Sequence, residues 1–437
     1  MNKETHEGIY DVKQLGTGKT IVLGLQHMFA MFGATVLVPL ITGLDISTTL
    51  LFAGLGTLLF HFLTKGKVPA FLGSSFAFLG GYGAIAPLLD GSTSNVEMLP
   101  YACFGVACAG LIYLILAGLI KLYSVEKIMK FFPPIVTGPI IIAIGLTLSQ
   151  SAVNNCASNW LIALVAIVVV ILCNIFGKGM IKIIPILIGV IASYVVAICM
   201  NKVDFSNVIA APWIGIPIRK EMTVLGMFDN FDLSIMINAV ISIMPIALAT
   251  IVEHIGDISA ISSTTGKNYI KDPGLHRTLL GDGLATIIAS LFGAPANTTY
   301  GENTGVLNLS KVFDPFVVRL AAYFAIFFSF CPKFSAVIQA MPAATVGGIS
   351  LILYGMISAV GVRNIVENKV DFTASRNVII AALILVLSIG ISYSTAGAVV
   401  FTIGKITIRL SGLAVGALVG IILNAILPGK DYVFEAE

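Results

Sequence analysis

Three carboxylates lie within or beside long apolar stretches of this 437-residue sequence, where an ionised group is costly. Glu253 follows the apolar run Ile235–Val252, and Asp257 comes one helical turn later on the same face. Two carboxylates in a medium of low dielectric constant cannot both ionise easily, so one of this pair is expected to hold a proton. The pair is a candidate proton carrier. The alternative is that Asp257 already lies in a solvated mouth and has no special role.

The third carboxylate, Glu302, lies near the end of a polar segment, Ala294–Asn303, which is placed between apolar runs. Irregular polar backbone survives at membrane depth only where it is buried in protein or lines a cavity. Gly301 allows the backbone to approach a ligand closely. Aromatic rings at Tyr300, Phe76 and Tyr354 lie at or beside the interrupted segments and can stack on a flat molecule. The segment therefore predicts that something polar is bound at membrane depth.

The hydrogen-bond donors and acceptors of this predicted site favour a small planar ligand that carries both N–H and C=O groups. The carboxylates supply acceptors, and half-helices that begin near Phe76 and Glu302 supply unpaired backbone N–H donors. Neither interrupted segment contains Lys or Arg, which disfavours a strongly anionic ligand. Ser75, which precedes Phe76 in the first interrupted segment, is a further candidate for binding the ligand. Two membrane histidines, His254 and His27, are interpreted either as proton relays or as packing residues, and their positions do not decide between the two.

The composition places these groups in a membrane protein. Apolar residues make up 57% of the chain and charged residues 11%, whereas soluble domains average about 25% charged. The net charge of +3 gives no argument for a nucleic-acid partner. The six cysteines have no metal-ligand spacing, and no nucleotide-binding or nucleophile motif is found. We therefore expect no metal, no cofactor and no enzymatic activity. The charged N-terminus lacks the apolar core of a signal peptide.

Apolar runs and helix breakers predict an all-α polytopic fold with fourteen membrane elements. With both termini in the cytoplasm, nineteen of the 25 Lys and Arg residues fall on the inner side, as the positive-inside rule requires. The expected location is the cell membrane. The predicted elements lie near residues 19–41, 47–64, 68–80, 98–120, 133–150, 159–177, 183–200, 234–257, 279–293, 302–311, 315–331, 334–360, 377–392 and 410–428.

Short motifs recur at a nearly constant offset along the chain. Gln26-His27 and Glu253-His254 are separated by 254 − 27 = 227 residues, and Pro69-Ala70 and Pro295-Ala296 by 295 − 69 = 226. Seven spans in each half is an odd number, so the two halves must have opposite orientations. Inverted repeats with paired interrupted segments, here Pro69–Gly80 and Pro295–Gly305, are typical of alternating-access transporters with a site at the midplane.

Long motifs then identify a resemblance to the nucleobase–ascorbate transporters, and among them to the bacterial uracil permeases. The motifs are Leu25–Pro39, Gly73–Phe78, Glu253-His254, Asp272–Arg277 and Asn297–Asn303, and the resemblance covers nearly the whole chain. It implies short antiparallel strands in elements 3 and 10. It also implies that spans 1–4 and 8–11 form a core domain, and that spans 5–7 and 12–14 form a gate domain at a dimer interface.

The resemblance also implies roles for individual residues. Glu253 and Glu302 would accept hydrogen bonds from uracil, the N–H groups of Phe76 and Gly301 would donate to a carbonyl, and Ala34, Tyr300 and Tyr354 would line the ring. The expected parts are a cytoplasmic tail at 1–18, a core at 19–131 and 234–331, a gate at 132–200 and 334–428, a linker at 201–233 and a cytoplasmic tail at 429–437.

Together these observations predict a proton-coupled uracil importer that works by alternating access, with the bilayer and a second copy of the chain as partners. The alternatives are a permease for xanthine or another nucleobase, an uncoupled nucleobase facilitator and, more distantly, a membrane enzyme. Similar uracil permeases commonly carry His where this chain has Asp257. In those permeases the His is thought to assist proton coupling with the glutamate, and Asp257 can hold a proton in its place only if burial or Glu253 disfavours its ionised form. Coupling to protons rather than sodium is what the resemblance implies.

Overall fold

The structure is a computed structural model, and it describes residues 8–89, 93–123, 125–403 and 406–429. The outermost parts of the two predicted tails, residues 1–7 and 430–437, lie outside the described residues. The described chain is almost entirely helical, with two small antiparallel sheets.

The first half of the chain contains two long helices, a short strand, a half-length helix and a further series of helices. Its elements are α1 (Thr17–Thr42), α2 (Ile46–Leu63), β1 (Leu72–Ser74), α3 (Leu79–Ile85), α4 (Leu99–Tyr123), α5 (Val125–Met129), α6 (Pro134–Ala157), α7 (Trp160–Phe176), α8 (Met180–Ile183) and α9 (Pro185–Cys199). A connecting segment with α10 (Ser206–Ala210) follows.

The second half repeats this succession of elements. It contains α11 (Leu233–Ile243), α12 (Ala247–Thr265), α13 (Leu275–Leu291), β2 (Asn297–Thr299), α14 (Gly301–Ser310), α15 (Pro315–Ser329), α16 (Pro332–Gln339), α17 (Ala343–Glu367), α18 (Ser375–Ser392), β3 (Ala398–Ile403), β4 (Ile406–Ser411) and α19 (Gly412–Ile426). In each half a three-residue strand and a short helix interrupt the series of long helices, as the polar breaks in the sequence indicate.

By length and composition, seven helices in the described chain can cross a membrane, or eight if the bent pair α15–α16 is one span. Three shorter apolar helices, α7, α9 and α19, accompany them. α11 and α12 together make one 33-residue span, which carries Glu253 and Asp257 in its second half. Many large apolar side chains on the outside of α7 and α18 are exposed, which is expected for surfaces that face lipid or a second copy.

Two strands that are distant in sequence form the small sheet at the centre of the chain. β1 and β2 pair antiparallel, with Leu72 opposite Thr299, Gly73 opposite Thr298 and Ser74 opposite Asn297. All six residues are buried. Backbone N–H and C=O groups in an apolar environment need partners, and the pairing supplies them where the helices are interrupted.

Two predicted regions have a different structure from the one expected. The element predicted at 334–360 is two helices, α16 and α17, separated at Met341-Pro342, because the residue before a proline is disfavoured in helical geometry. The chain between α18 and α19, which was not assigned an element, forms the hairpin β3–β4. Its β-branched residues favour strands.

Candidate functional site

The β1–β2 sheet holds the two interrupted segments against each other. The backbone N–H of Tyr300 donates to the carbonyl oxygen of Phe71 at 3.1 Å, and that of Ser75 donates to Ala296 at 2.9 Å. The Tyr300 hydroxyl donates to the carbonyl oxygen of Ser74 at 2.8 Å. Each segment is therefore bonded to the other on both sides of the sheet, and the residues that follow the strands, Phe76 and Gly301, are fixed relative to each other.

The carboxylates of α12 lie beside the second interrupted segment. Asp257 is partly buried, and its Oδ2 accepts a hydrogen bond of 3.0 Å from Thr299 Oγ1. Its Oδ1 is 3.8 Å from the point where a Cβ on Gly301 would stand, so the start of α14 passes directly beside this carboxylate. Glu253, one turn earlier on the same face, is also partly buried and interacts electrostatically with Glu302.

Glu302 occupies the first turn of α14, at the end of the helix where backbone N–H groups have no intrahelical partner. No side chain caps this end of the helix. Glu302 therefore lies beside unpaired backbone N–H groups and the positive end of the helix dipole. The predicted start of the half-helix at this residue agrees with the observed helix to within one residue. The other half-helix, α3, begins at Leu79, so Phe76 lies in the turn that precedes it.

Aromatic and small side chains enclose the space between the two segments. The rings of Phe76 and Tyr354 meet edge to face, with centroids 5.9 Å apart and an interplanar angle of 77°. Ala34 on α1 and Ser75 are fully buried. Among the described residues, the Ser75 hydroxyl has no hydrogen-bond partner. The site thus offers an aromatic wall and a hydroxyl group that can bind a ligand.

Two of the cavities in the described chain are lined by residues of the interrupted segments. The first, the Phe76 cavity, has a volume of about 470 Å³ and is lined by Phe76, α3 and the hairpin β3–β4. The second, the Glu302 cavity, has a volume of about 190 Å³ and is lined by Glu302, α14 and the connector before α9. One cavity thus reaches the first interrupted segment and the other reaches the second.

The two predicted histidines contact polar residues of neighbouring helices. Asn303 Nδ2 lies 3.1 Å from both the Nδ1 and the backbone oxygen of His27, which ties α14 to α1. His254 is fully buried with its Nδ1 3.2 Å from an oxygen of Asp282, a short ion-pair distance without the alignment of a hydrogen bond. Its ring faces α13 and Phe60, whereas Asp257 faces β2.

Sequence reasoning missed three residues that the structure connects to this site. Asp282 is a fully buried carboxylate on α13, and its position inside a span was a signal of the same kind that identified Glu253. Asn303 and Thr299 stand within the polar segment, but their partners on α1 and α12 are 276 and 42 residues away along the chain. Only the folded chain shows those contacts.

Solved structures with the same fold are membrane transporters. The transmembrane domain of the cyanobacterial bicarbonate transporter BicA superposes with a TM-score of 0.59 at 14% identity, covering 96% of this chain and 99% of that one. The murine anion transporter Solute Carrier 26 family member A9 gives a TM-score of 0.60 at 12% identity, covering 95% of this chain and 69% of that one. At this identity the likeness concerns the fold alone.

Two interrupted segments that meet within a bundle of apolar helices of spanning length are typical of multi-pass membrane transport proteins. The profile of a family described as "Permease family" matches residues 18–397. The chain belongs to this family, the nucleobase–ascorbate transporters.

Curated relatives match over nearly the full length. The uracil permease of Bacillus caldolyticus is 40% identical over 98% of this chain and 96% of its own. The probable uracil permease of Haemophilus influenzae is 42% identical over 94% of each chain. The uracil permease of Escherichia coli K12 is 35% identical over 96% of this chain and 95% of its own.

Proposed function

We propose that the protein imports uracil across the cell membrane together with protons, by alternating access. The observation that carries this proposal is the β1–β2 sheet, which joins the segment of Phe76 to the segment of Glu302, with Glu253 and the uncapped N-terminus of α14 beside the second segment. Full-length relatives that bear the name uracil permease support the choice of substrate.

The chemistry of the site suits the ring of uracil, which has two N–H donors and two carbonyl acceptors. Glu253 and Glu302 accept from the N–H groups, and carboxylates are strong acceptors for such bonds. The backbone N–H groups of Phe76 and Gly301 donate to a carbonyl oxygen. Among the described backbone hydrogen bonds, none uses the Phe76 N–H. Tyr300 and Ala34 line the ring, and Tyr354 covers it from the gate side.

The transport cycle needs two bodies that move relative to each other. We place α1–α4 and α11–α15 in a core domain, and α6–α9 and α17–α19 in a gate domain, close to the boundaries expected from the sequence. Helix packing supports this division, since α4 packs along α13 and α2 along α15, whereas α6 packs along α17 and α18 along α19. In this arrangement fourteen elements form two inverted repeats, both termini are cytoplasmic, and the gate domain forms a homodimer.

Proton coupling is assigned to Glu253 and Asp257, with His254 as a buried neighbour. The two carboxylates share a helix face, and Asp257 is bonded to the strand that leads into Gly301 and Glu302. A proton that neutralises one carboxylate removes its repulsion of the other and of Glu302, so protonation and ligand binding are linked through one cluster of negative charge.

The test is uptake of radiolabelled uracil into proteoliposomes that contain the purified protein. We expect accumulation when the outside is made more acidic than the inside, and competition by unlabelled uracil but not by xanthine. Uptake that ignores the imposed pH gradient contradicts symport and supports a facilitator. Uptake that xanthine blocks as well as uracil does contradicts the assigned substrate.

A further inference from the structure

Two basic residues occupy equivalent places in the two halves of the chain. Lys182 belongs to the connector between α7 and α9, and Arg409 to the connector between α18 and α19. Their separation is 409 − 182 = 227 residues, the same offset that relates His27 to His254. α9 and α19 occupy the same place in the two successions of elements, so each half carries one basic residue just before its last helix.

Each of these residues lines one of the two cavities that reach the central site. Arg409 lines the Phe76 cavity, and Lys182 lines the Glu302 cavity. In the proposed topology the two connectors lie on opposite faces of the membrane. Each cavity thus has in its wall one of these two basic residues and a part of the central site, Phe76 or Glu302.

The hairpin holds Arg409 in place while leaving part of its guanidinium available. Its Nη2 donates to the carbonyl oxygen of Ala396 at 3.0 Å, and its backbone N–H donates to Asn238 on α11 at 3.3 Å. Its Nε is buried and has no hydrogen-bond partner among the described residues. A buried donor without a partner is costly, so a small movement of the Arg409 side chain toward the adjoining cavity would allow an acceptor there to bind it.

Lys182 has a different local setting but the same chemistry. Its side chain is exposed, and no carboxylate of the described residues lies within ion-pair distance of it. Lys and Arg are donors only and bind acceptor oxygens. The central carboxylates, when ionised, can only accept hydrogen bonds. The basic residues in the cavity walls can only donate them, so the two kinds of group bind different atoms of a ligand.

We propose that Arg409 and Lys182 form a pair of repeat-related capture subsites, one on each side of the membrane, for the carbonyl oxygen of the transported ring. This inference rests on the proposed function. A ring bound through its carbonyl oxygen to a basic residue keeps its N–H edge free. Glu253 and Glu302 accept hydrogen bonds from the N–H groups on that edge. The ring therefore reaches the carboxylates with its N–H groups facing them.

The outer subsite is tested by Arg409→Gln, with Lys220→Gln as the matched control. Lys220 is an exposed basic residue on the same face in the proposed topology and does not line the cavity. We expect Arg409→Gln to raise the KM for uracil influx about fivefold, the equivalent of one net hydrogen bond, and Lys220→Gln to leave it unchanged. The Kd for uracil at the central site, measured by calorimetry in detergent, should change less than twofold.

The inner subsite is tested by Lys182→Gln in inside-out vesicles, with Lys178→Gln in the same connector as control. Lys182 is exposed, so this change carries no risk to folding. We expect the KM to rise only for uracil presented to the inner face. An unchanged KM in both variants overturns the inference, and so does an equal rise from both faces. A wild-type protein that takes up no uracil contradicts the proposed function instead.

Discussion

Asp257 and Thr299 are joined by a hydrogen bond of 3.0 Å between Oδ2 and Oγ1, which connects the middle of α12 to the last residue of β2. Thr299 is paired with Leu72 in the sheet and is followed directly by Tyr300, Gly301 and Glu302. A change in the charge of Asp257 therefore acts on the strand from which the α14 half-helix begins. This contact argues against a freely solvated Asp257. Under the proposed function, it connects the protonation of Asp257 to the segment that binds the ligand.

We predict that Asp257→Asn abolishes the accumulation of uracil driven by a pH gradient while leaving exchange of labelled for unlabelled uracil largely intact. The amide keeps an acceptor for Thr299 but can no longer take up a proton. The affinity for uracil should stay within about threefold, since less than one net hydrogen bond is changed. Accumulation ratios and counterflow rates in the same proteoliposomes measure the two effects.

The matched control is Thr299→Val, which removes the bond to Asp257 but keeps both protonation states. Coupling should survive in this variant with a shifted pH dependence. If Asp257→Asn accumulates uracil as the wild type does, Asp257 has no part in coupling.

Glu302→Gln should lower the affinity for uracil by at least tenfold. Hydrogen bonds to charged groups contribute about 1.5–3 kcal/mol, and 1.4 kcal/mol is a tenfold change in an equilibrium constant. The amide also presents donors to the N–H groups of the ring, which adds repulsion. Calorimetric titration with uracil measures the loss. Asn308→Ala, at the exposed other end of α14, is the control and should bind normally.

Gly73→Ala should disrupt the site from within the sheet. A Cβ at Gly73 would stand 2.5 Å from the Tyr300 ring and 2.7 Å from Thr35 Oγ1, so Tyr300 must move. Overpacking of this kind costs about 1–3 kcal/mol. We expect a lower Tm and at least a tenfold loss of uracil uptake. Gly118→Ala on α4, where a Cβ meets nothing within 4 Å, should leave both quantities unchanged. Normal uptake by Gly73→Ala would show that the position of Tyr300 is unimportant.

The ion pair between Lys67 and Asp272 should contribute nothing to the pH dependence of transport. The hydrogen bond from Lys67 lowers the pKa of the exposed Asp272 carboxyl, so any stability it provides is present at neutral pH and is lost only as the pH falls through that lowered pKa. Between about pH 5 and 8 its charge is constant. Asp272→Asn should therefore leave the pH profile of uptake unchanged, whereas Asp257→Asn should flatten it.

The interrupted elements could be located from the sequence because polar residues within membrane-spanning apolar runs are costly and occur mainly at functional sites. Glu302 and the segment before it stand out for this reason, and the observed α14 begins one residue before Glu302. The contacts that orient the carboxylates could not be predicted. Thr299 reaches Asp257, and Asn303 reaches His27, only once distant helices have packed.

Two local features were interpreted too simply from the sequence. The prediction of a single helix at 334–360 ignored Pro342. This proline disfavours helical geometry at the residue before it, and the chain forms two helices, α16 and α17, on either side of the break. The hairpin β3–β4 was missed because the chain between the spans predicted at 377–392 and 410–428 received no predicted element, although its β-branched residues favour strands. That hairpin holds Arg409 at the Phe76 cavity, so the omission also hid a basic residue near the site.

The pairing of β1 with β2 also sets the order of events during synthesis. Leu72 and its partner Thr299 are 299 − 72 = 227 residues apart. At roughly 5–20 residues per second, the ribosome needs roughly 11–45 seconds to make the second strand after the first. During that time β1 has no strand partner in the bilayer, and Thr57 Oγ1, which bonds both the N–H and the carbonyl of Leu72, can satisfy that residue in the meantime.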